Sequence, residues 1–246
     1  MLIILYGFII GCFVTLIGGG GATFYLGVLT SSMAMSTEMA VPTSLFIAVF
    51  ALLSGFLTQL KLKNVEVRIG NRLILAAIPG ILIGTYLSRF IPAHVYQRAV
   101  GILLTVMGCI VLYKNVFAKK KKKEPSKNSK VALIFGFISG LMVGFGGLSG
   151  GSATVAGLSI IGLPAVKATG TTTYILWVLA VVGLISHLVA GSPISWTAGL
   201  FLMIGGIIGS ILTPLVLRLF DQKKLNKFLS PLLGIVIIYF GLNLIF

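Results

Sequence analysis

LIGGGGATF, residues Leu16 to Phe24, sets four consecutive glycines inside an apolar segment. Glycine weakens a helix by roughly 1 kcal/mol per residue relative to alanine, and a bilayer penalises every backbone group left without a hydrogen-bond partner. A helix running straight through Gly18 to Gly21 would give up stability for nothing. The stretch therefore reads as a point where the chain leaves the helix. A second cluster, GGLSGGSAT at Gly146 to Thr154, repeats the pattern, and what these two breaks do decides the fold.

The surroundings are those of a membrane protein. Of 246 residues 57% are hydrophobic and only 9% charged, with a mean hydropathy of +1.11, against about 25% charged in an ordinary soluble domain. Six segments approach the roughly 20 apolar residues a helical span needs: Val41 to Leu60, Leu73 to Phe90, Tyr96 to Leu112, Ala168 to Val189, Ala198 to Leu217 and Leu229 to Phe246. Two more, Leu2 to Thr30 and Val131 to Ile161, hold the glycine clusters. The opening MLIILYGF has no Lys or Arg before its apolar run and no cleavage signal follows, so it reads as part of the fold rather than as a signal peptide.

The net charge of +15 does not indicate nucleic acid. Eight of the nineteen Lys and Arg residues lie between Lys114 and Lys130, centred on KKKKK at Lys119 to Lys123. A basic segment beside a span fixes topology and meets anionic headgroups. Cys12 and Cys109 have no metal or redox spacing and read as small core residues.

That basic linker, residues 115–130, separates two transmembrane repeats, 1–114 and 131–246. AVPTSLF opens a span running to Gly55 and Gln59, and ATGTTTY opens one running to Gly183 and His187. PGILIG at Pro79 to Gly84 answers GGIIG at Gly205 to Gly209, and Gly101 and Gly108 answer Gly234 and Gly241. These later glycines read as helix contacts, because small residues let membrane helices approach closely. A duplicated unit of this kind is a common plan of secondary transporters.

Charge discriminates between two arrangements of the repeats. If all eight apolar segments cross, twelve basic residues lie on the linker side and seven opposite. If each glycine-broken segment is instead a re-entrant hairpin, each half has three crossings, the halves are inverted, and the division is seventeen against two. The positive-inside rule selects the second, with the linker cytoplasmic and both termini outside. Leu2 to Leu16 would then be about 22 Å long at 1.5 Å per residue, more than half of a bilayer core of about 30 Å, so that arm must tilt or project.

Inverted hairpins bring two tips toward the midplane from opposite faces. Each is followed by a helix N-terminus with unpaired N–H groups and partial positive charge, which suits an anion. The expected substrate-binding residues are Gly18, Gly19, Gly20, Gly21 and Thr23 in one tip and Gly147, Ser149, Gly150, Gly151, Ser152 and Thr154 in the other. Thr43 and Ser44, with Thr171 and Thr172, stand at the starts of the paired spans as further hydroxyl donors. Any one of these hydroxyls can instead bond its own helix carbonyl. Valine at Gly20 or Gly150 is expected to block the anion and spare the fold. Gln59 and His187 are candidates for coupling to a proton or ion, though both fall toward span ends.

Glu38, Glu66, Glu124 and Asp221 are scattered over expected loops, with no acid, base or nucleophile set for catalysis and no intramembrane carboxylate for a cation. No cofactor or metal site is expected. The reading is an all-α, polytopic carrier of a small anion in the cell membrane; a passive anion channel and a non-transporting scaffold are the alternatives.

The glycine clusters, the helix starts AVPTS (Ala40 to Ser44) and ATGTT (Ala168 to Thr172), and the later GxxxG patterns resemble the TauE/SafE, or sulfite exporter, family over nearly the whole chain. The resemblance implies transport of sulfur oxyanions and organosulfonates such as sulfite, sulfoacetate or thiosulfate. The chain departs from the family pattern in lacking a proline just beyond each glycine cluster, and Pro42 stands where alanine is common.

Overall fold

The computed structural model describes residues 2–17, 21–87, 130–146 and 149–221, with isolated positions between 90 and 113 and between 228 and 245. The expected spans Tyr96 to Leu112 and Leu229 to Phe246, and nearly all of the linker, fall outside the described residues. Within them the chain forms eight α-helices and no strand. In order these are α1 Leu2–Ile17, α2 Gly21–Gly27, α3 Thr37–Lys61, α4 Val67–Leu87, α5 Lys130–Gly146, α6 Gly151–Ile160, α7 Ala165–Val189 and α8 Trp196–Leu217; a π-helical turn, Val28–Ser32, follows α2. Four of them, α3, α4, α7 and α8, are long and apolar enough to cross a membrane, and α1, α2, α5 and α6 are shorter apolar helices.

The two longest helices, α3 and α7, begin and end alike. Each starts after a residue in extended backbone, Ser36 (ψ 144°) or Pro164 (ψ 146°). Each stops in a turn that needs a left-handed residue: Lys63 at φ 58° and Gly191 at φ +85°. The turns close with Asn64 N–H donating to the Gln59 carbonyl at 3.0 Å and Ser192 N–H to that of His187 at 3.1 Å. Such left-handed closures satisfy carbonyls a helix end leaves open.

Packing is reciprocal between the halves. Helix α1 lies against α8 and α5 against α4; α3 contacts α8, α7 contacts α4, and α3 and α7 meet each other in the interior. The two outer pairs are joined backbone to backbone through glycine. In one, Gly11 faces Gly206 and Gly209 faces Phe8 and Cys12; in the other, Gly140 faces Ala77 and Gly80 faces Phe137 and Leu141. Any Cβ at these glycines would overlap the opposing main chain, so Gly80, Gly84, Gly205 and Gly209 are helix contacts, as small residues in membrane helices commonly are.

The register differs from the one the motifs suggest. PGILIG set beside GGIIG pairs Gly80 with Gly205, whereas the contacts make Gly80 the counterpart of Gly209. The same displacement relates Gly11 to Gly140. The reason is physical: a stripe of small residues at every fourth position matches itself equally well one turn away, and only the partner backbone fixes which turn is meant.

Candidate functional site

Helix α2 meets the start of α6, each lying just after a glycine cluster. Ser149, just before α6, donates its backbone N–H to Thr23 Oγ1 on α2 at 2.8 Å, joining segments that lie 126 positions apart in sequence. Gly151, the first residue of α6, donates its N–H to Ser149 Oγ at 3.3 Å. Behind them, Ser139 Oγ on α5 and Thr154 Oγ1 on α6 each stand 2.9 Å from the Gly150 carbonyl oxygen and 2.9 Å from one another. Thr154 and Ser139 are fully buried, and Ser149 and Ser152 nearly so. This triangle ties the start of α6 to α5.

Gly150 is a packing glycine in that arrangement. A Cβ there would overlap the Ser139 backbone and hydroxyl. Valine at Gly150 therefore breaks the contact between α5 and α6 and cannot spare the fold, contrary to the expectation from sequence. Gly21 is buried at the start of α2, where a Cβ would meet Val14 at 3.2 Å. Gly151 and Ser152 occupy the buried first turn of α6. Gly18, Gly19, Gly20 and Gly147 lie outside the described residues.

The hydroxyls at the helix starts serve the framework. Thr43 Oγ1 donates to the Met39 carbonyl at 2.6 Å and accepts the N–H of Ser195 at 3.0 Å, holding the start of α8 against α3. Thr171 Oγ1 accepts the N–H of Glu66 at 2.9 Å and so holds the start of α4 against α7. Ser44 donates to the Val41 carbonyl at 2.8 Å. Thr172 is buried, and its hydroxyl has no partner among the described residues. Of the three consecutive threonines, then, one links helices, Thr173 bonds its own helix at Thr169, and one is unmatched.

Gln59 and His187 end α3 and α7 at the opposite extremity from Thr43 and Thr171. Gln59 is buried and accepts a hydrogen bond from Asn64 Nδ2 at 2.8 Å, which fastens the turn after α3. His187 Nε2 is buried without a partner among the described residues. Two features escaped the sequence reading. Glu66 forms an ion pair with Lys167 across the α4 and α7 starts; charge sign was the available signal, but the residues are far apart in the chain. Ser139 is a single serine between Gly136 and Gly140 in GFISG, and nothing local distinguishes it from a solvating hydroxyl.

Apolar helices of spanning length, paired through glycine seams, define a polytopic helical membrane protein. Residues 3–240 match the family described as Sulfite exporter TauE/SafE, and the chain belongs to that family, a family of membrane transporters. It is similar to the probable membrane transporter protein YunE of Bacillus subtilis (strain 168), at 26% identity over 100% of this chain and 97% of that protein. It is also similar to the probable membrane transporter protein YdhB of the same organism, at 27% identity over 98% of this chain and 100% of that one. A probable membrane transporter protein of Methanocaldococcus jannaschii is 24% identical over 96% of this chain and 92% of its own length. No solved structure matches.

Proposed function

We propose that the chain is a secondary carrier of a small anion, of the sulfur oxyanion and organosulfonate class, and that the anion is held where the two tips meet. The observation that carries this reading is the hydrogen bond from Ser149 N–H to Thr23 Oγ1. Through it the Thr23 hydroxyl of α2 stands beside the N-terminal turn of α6. That turn offers N–H groups without intrahelical acceptors and a partial positive charge, and the polar side chains around it, Thr23, Ser149, Ser152 and Thr154, are neutral. Such a site receives an oxyanion without a fixed countercharge.

The substrate class comes from the family resemblance and fits this donor set, since a sulfonate or sulfite presents several acceptor oxygens and no donor that the site must satisfy. The reciprocal packing of α1 with α8 and α5 with α4 supports two repeats divided at residues 115–130, and the charge division favours their being inverted. Inverted repeats in turn support alternating access around a shared central site. The charge division supports a cytoplasmic linker.

The test is thermal unfolding of the purified chain against sulfite, thiosulfate, sulfoacetate and sulfate, with carboxylates and amines for comparison. A ligand at about 100 times its Kd stabilises the native state by about 2.7 kcal/mol. Sulfur oxyanions are expected to raise Tm, and Thr23→Val to reduce that rise. Stabilisation by amines or neutral solutes alone would remove the anion reading.

A further inference from the structure

The glycine seams of the two halves match at Gly7 and Gly136, at Gly11 and Gly140 and at Gly209 and Gly80, and they differ one turn from the middle of these. In the second half, Gly140 and Gly144 of α5 lie against Ala77 and Ile81 of α4. The corresponding residues of the first half are Gly11 and Thr15 of α1 and Gly206 and Ser210 of α8, at the same displacement along the chain. An apolar joint is therefore sufficient for this packing, and the first half has instead placed two buried hydroxyls there, each only 1% exposed.

A third hydroxyl enters the same joint. Tyr25 of α2 is 1% exposed and its hydroxyl lies against Gly206, where Ala51 of α3 also packs. One turn along α3, a Cβ on Gly55 would stand 3.4 Å from Ser210 Cβ and 3.5 Å from Thr15 Oγ1. Thr15 gives its hydrogen to the Gly11 carbonyl at 2.9 Å, which leaves its oxygen able to accept. The Tyr25 and Ser210 hydroxyls have no partner among the described residues.

The second half shows what a protein-made solution looks like. There the buried Thr154 hydroxyl of α6 is matched by Ser139 and the Gly150 carbonyl. The residue corresponding to Ser139 is Ile10, which has no polar atom to give. A buried hydroxyl left unmatched is costly, and native structures match nearly all of them.

We propose that this joint is a binding site for a single water molecule, hydrogen-bonded to Tyr25, Ser210 and Thr15. A buried water needs two to four polar partners, and three are present, two able to donate or accept and one able to accept. A metal cation would need more oxygens and in general a carboxylate, and neither is supplied by these residues. The water fastens α2 to α8, and α2 is the arm whose Thr23 holds the tip of the other hairpin. The joint is thus a hydrated anchor for one tip, where the other tip is anchored by Ser139.

The experiment is a double-mutant cycle on the full chain, Tyr25→Phe, Ser210→Ala and both together, read as Tm without substrate. Each single substitution is expected to lower Tm, and the pair to lower it no further than the worse single one, because both lose the same bridge. A rise in Tm on either substitution would mean that the hydroxyls were unmatched, and additive losses would mean that they are matched separately; either result overturns the proposal. A Tm that falls when sodium or potassium is exchanged for choline, with that dependence lost in the variants, would make the occupant a cation and overturn it as well.

Discussion

Two glycine-to-alanine substitutions in this chain are expected to act with opposite sign, and the difference measures how the helices are joined. At Gly140 a Cβ would stand 2.7 Å from the Ala77 carbonyl carbon and 2.8 Å from its Cα, and closer still to the carbonyl oxygen. Ordinary contact begins at 3.4 Å, and the obstacle is backbone on both sides, so α4 and α5 must part by the better part of an ångström. Overpacking of that kind costs about 3 kcal/mol at the upper end of its usual range, and alanine returns about 1 kcal/mol in helix propensity. The net loss for Gly140→Ala is about 2 kcal/mol. Gly27 is helical at φ −57° and ψ −45°, and nothing lies within 4 Å of a Cβ built there; Gly27→Ala should gain the propensity term of about 1 kcal/mol alone. At about 2–4 °C per kcal/mol for a chain of this size, the two variants should differ in Tm by about 6–12 °C in detergent, followed by tryptophan fluorescence. Equal midpoints, or a more stable Gly140→Ala protein, would refute the claim that the α4 and α5 backbones are in contact.

Thr43→Val and Thr171→Val should each cost about 1–3 kcal/mol, the penalty of leaving a main-chain N–H unpaired at Ser195 or Glu66, and thermal unfolding should show similar losses because the two bonds are counterparts. Glu66→Gln should cost less than about 1 kcal/mol in the same assay, since its pairing with Lys167 is between side chains 37% and 43% exposed and such pairs are screened. Accessibility tags near Ser126 and at Phe246 should report opposite faces of the membrane, with Ser126 cytoplasmic; both tags on one face would restore parallel repeats.

Composition and glycine placement made much of the architecture legible. Hydropathy located α3, α4, α7 and α8 to within a few residues at most ends, although α4 begins at Val67 rather than near Leu73, because Arg68, Asn71 and Arg72 depress the local hydropathy of a turn that is helical all the same. After the first glycine cluster α2 ends at Gly27 in a π turn, which the sequence does not announce, because hydrophobic content does not distinguish one helical hydrogen-bond pattern from another. Site residues were harder. Thr43 and Thr171 were recognised as paired hydroxyls, but a sequence does not tell whether a threonine faces a cavity or the N-terminus of a neighbouring helix. Gly150 presented the same difficulty, since a glycine beside Ser139 looks the same in sequence as one beside a ligand.

The glycines of this chain do two kinds of work, and the hydroxyls divide along the same line. Seam glycines at Gly11, Gly80, Gly140 and Gly209 stay helical and bring backbones together, so the helices carrying them move as pairs. Thr43 and Thr171 extend those pairs by tying α3 to the start of α8 and α7 to the start of α4. Between α2 and the start of α6 the described residues show the hydrogen bond between Thr23 and Ser149, while α6 itself is held to α5 through Ser139, Gly150 and Thr154. A single neutral hydrogen bond contributes about 0.5–1.5 kcal/mol, which is within the reach of one bound anion to replace. On the proposed reading, that contact, rather than the better-bonded helix starts, is where binding energy would be converted into movement of α2 against α6.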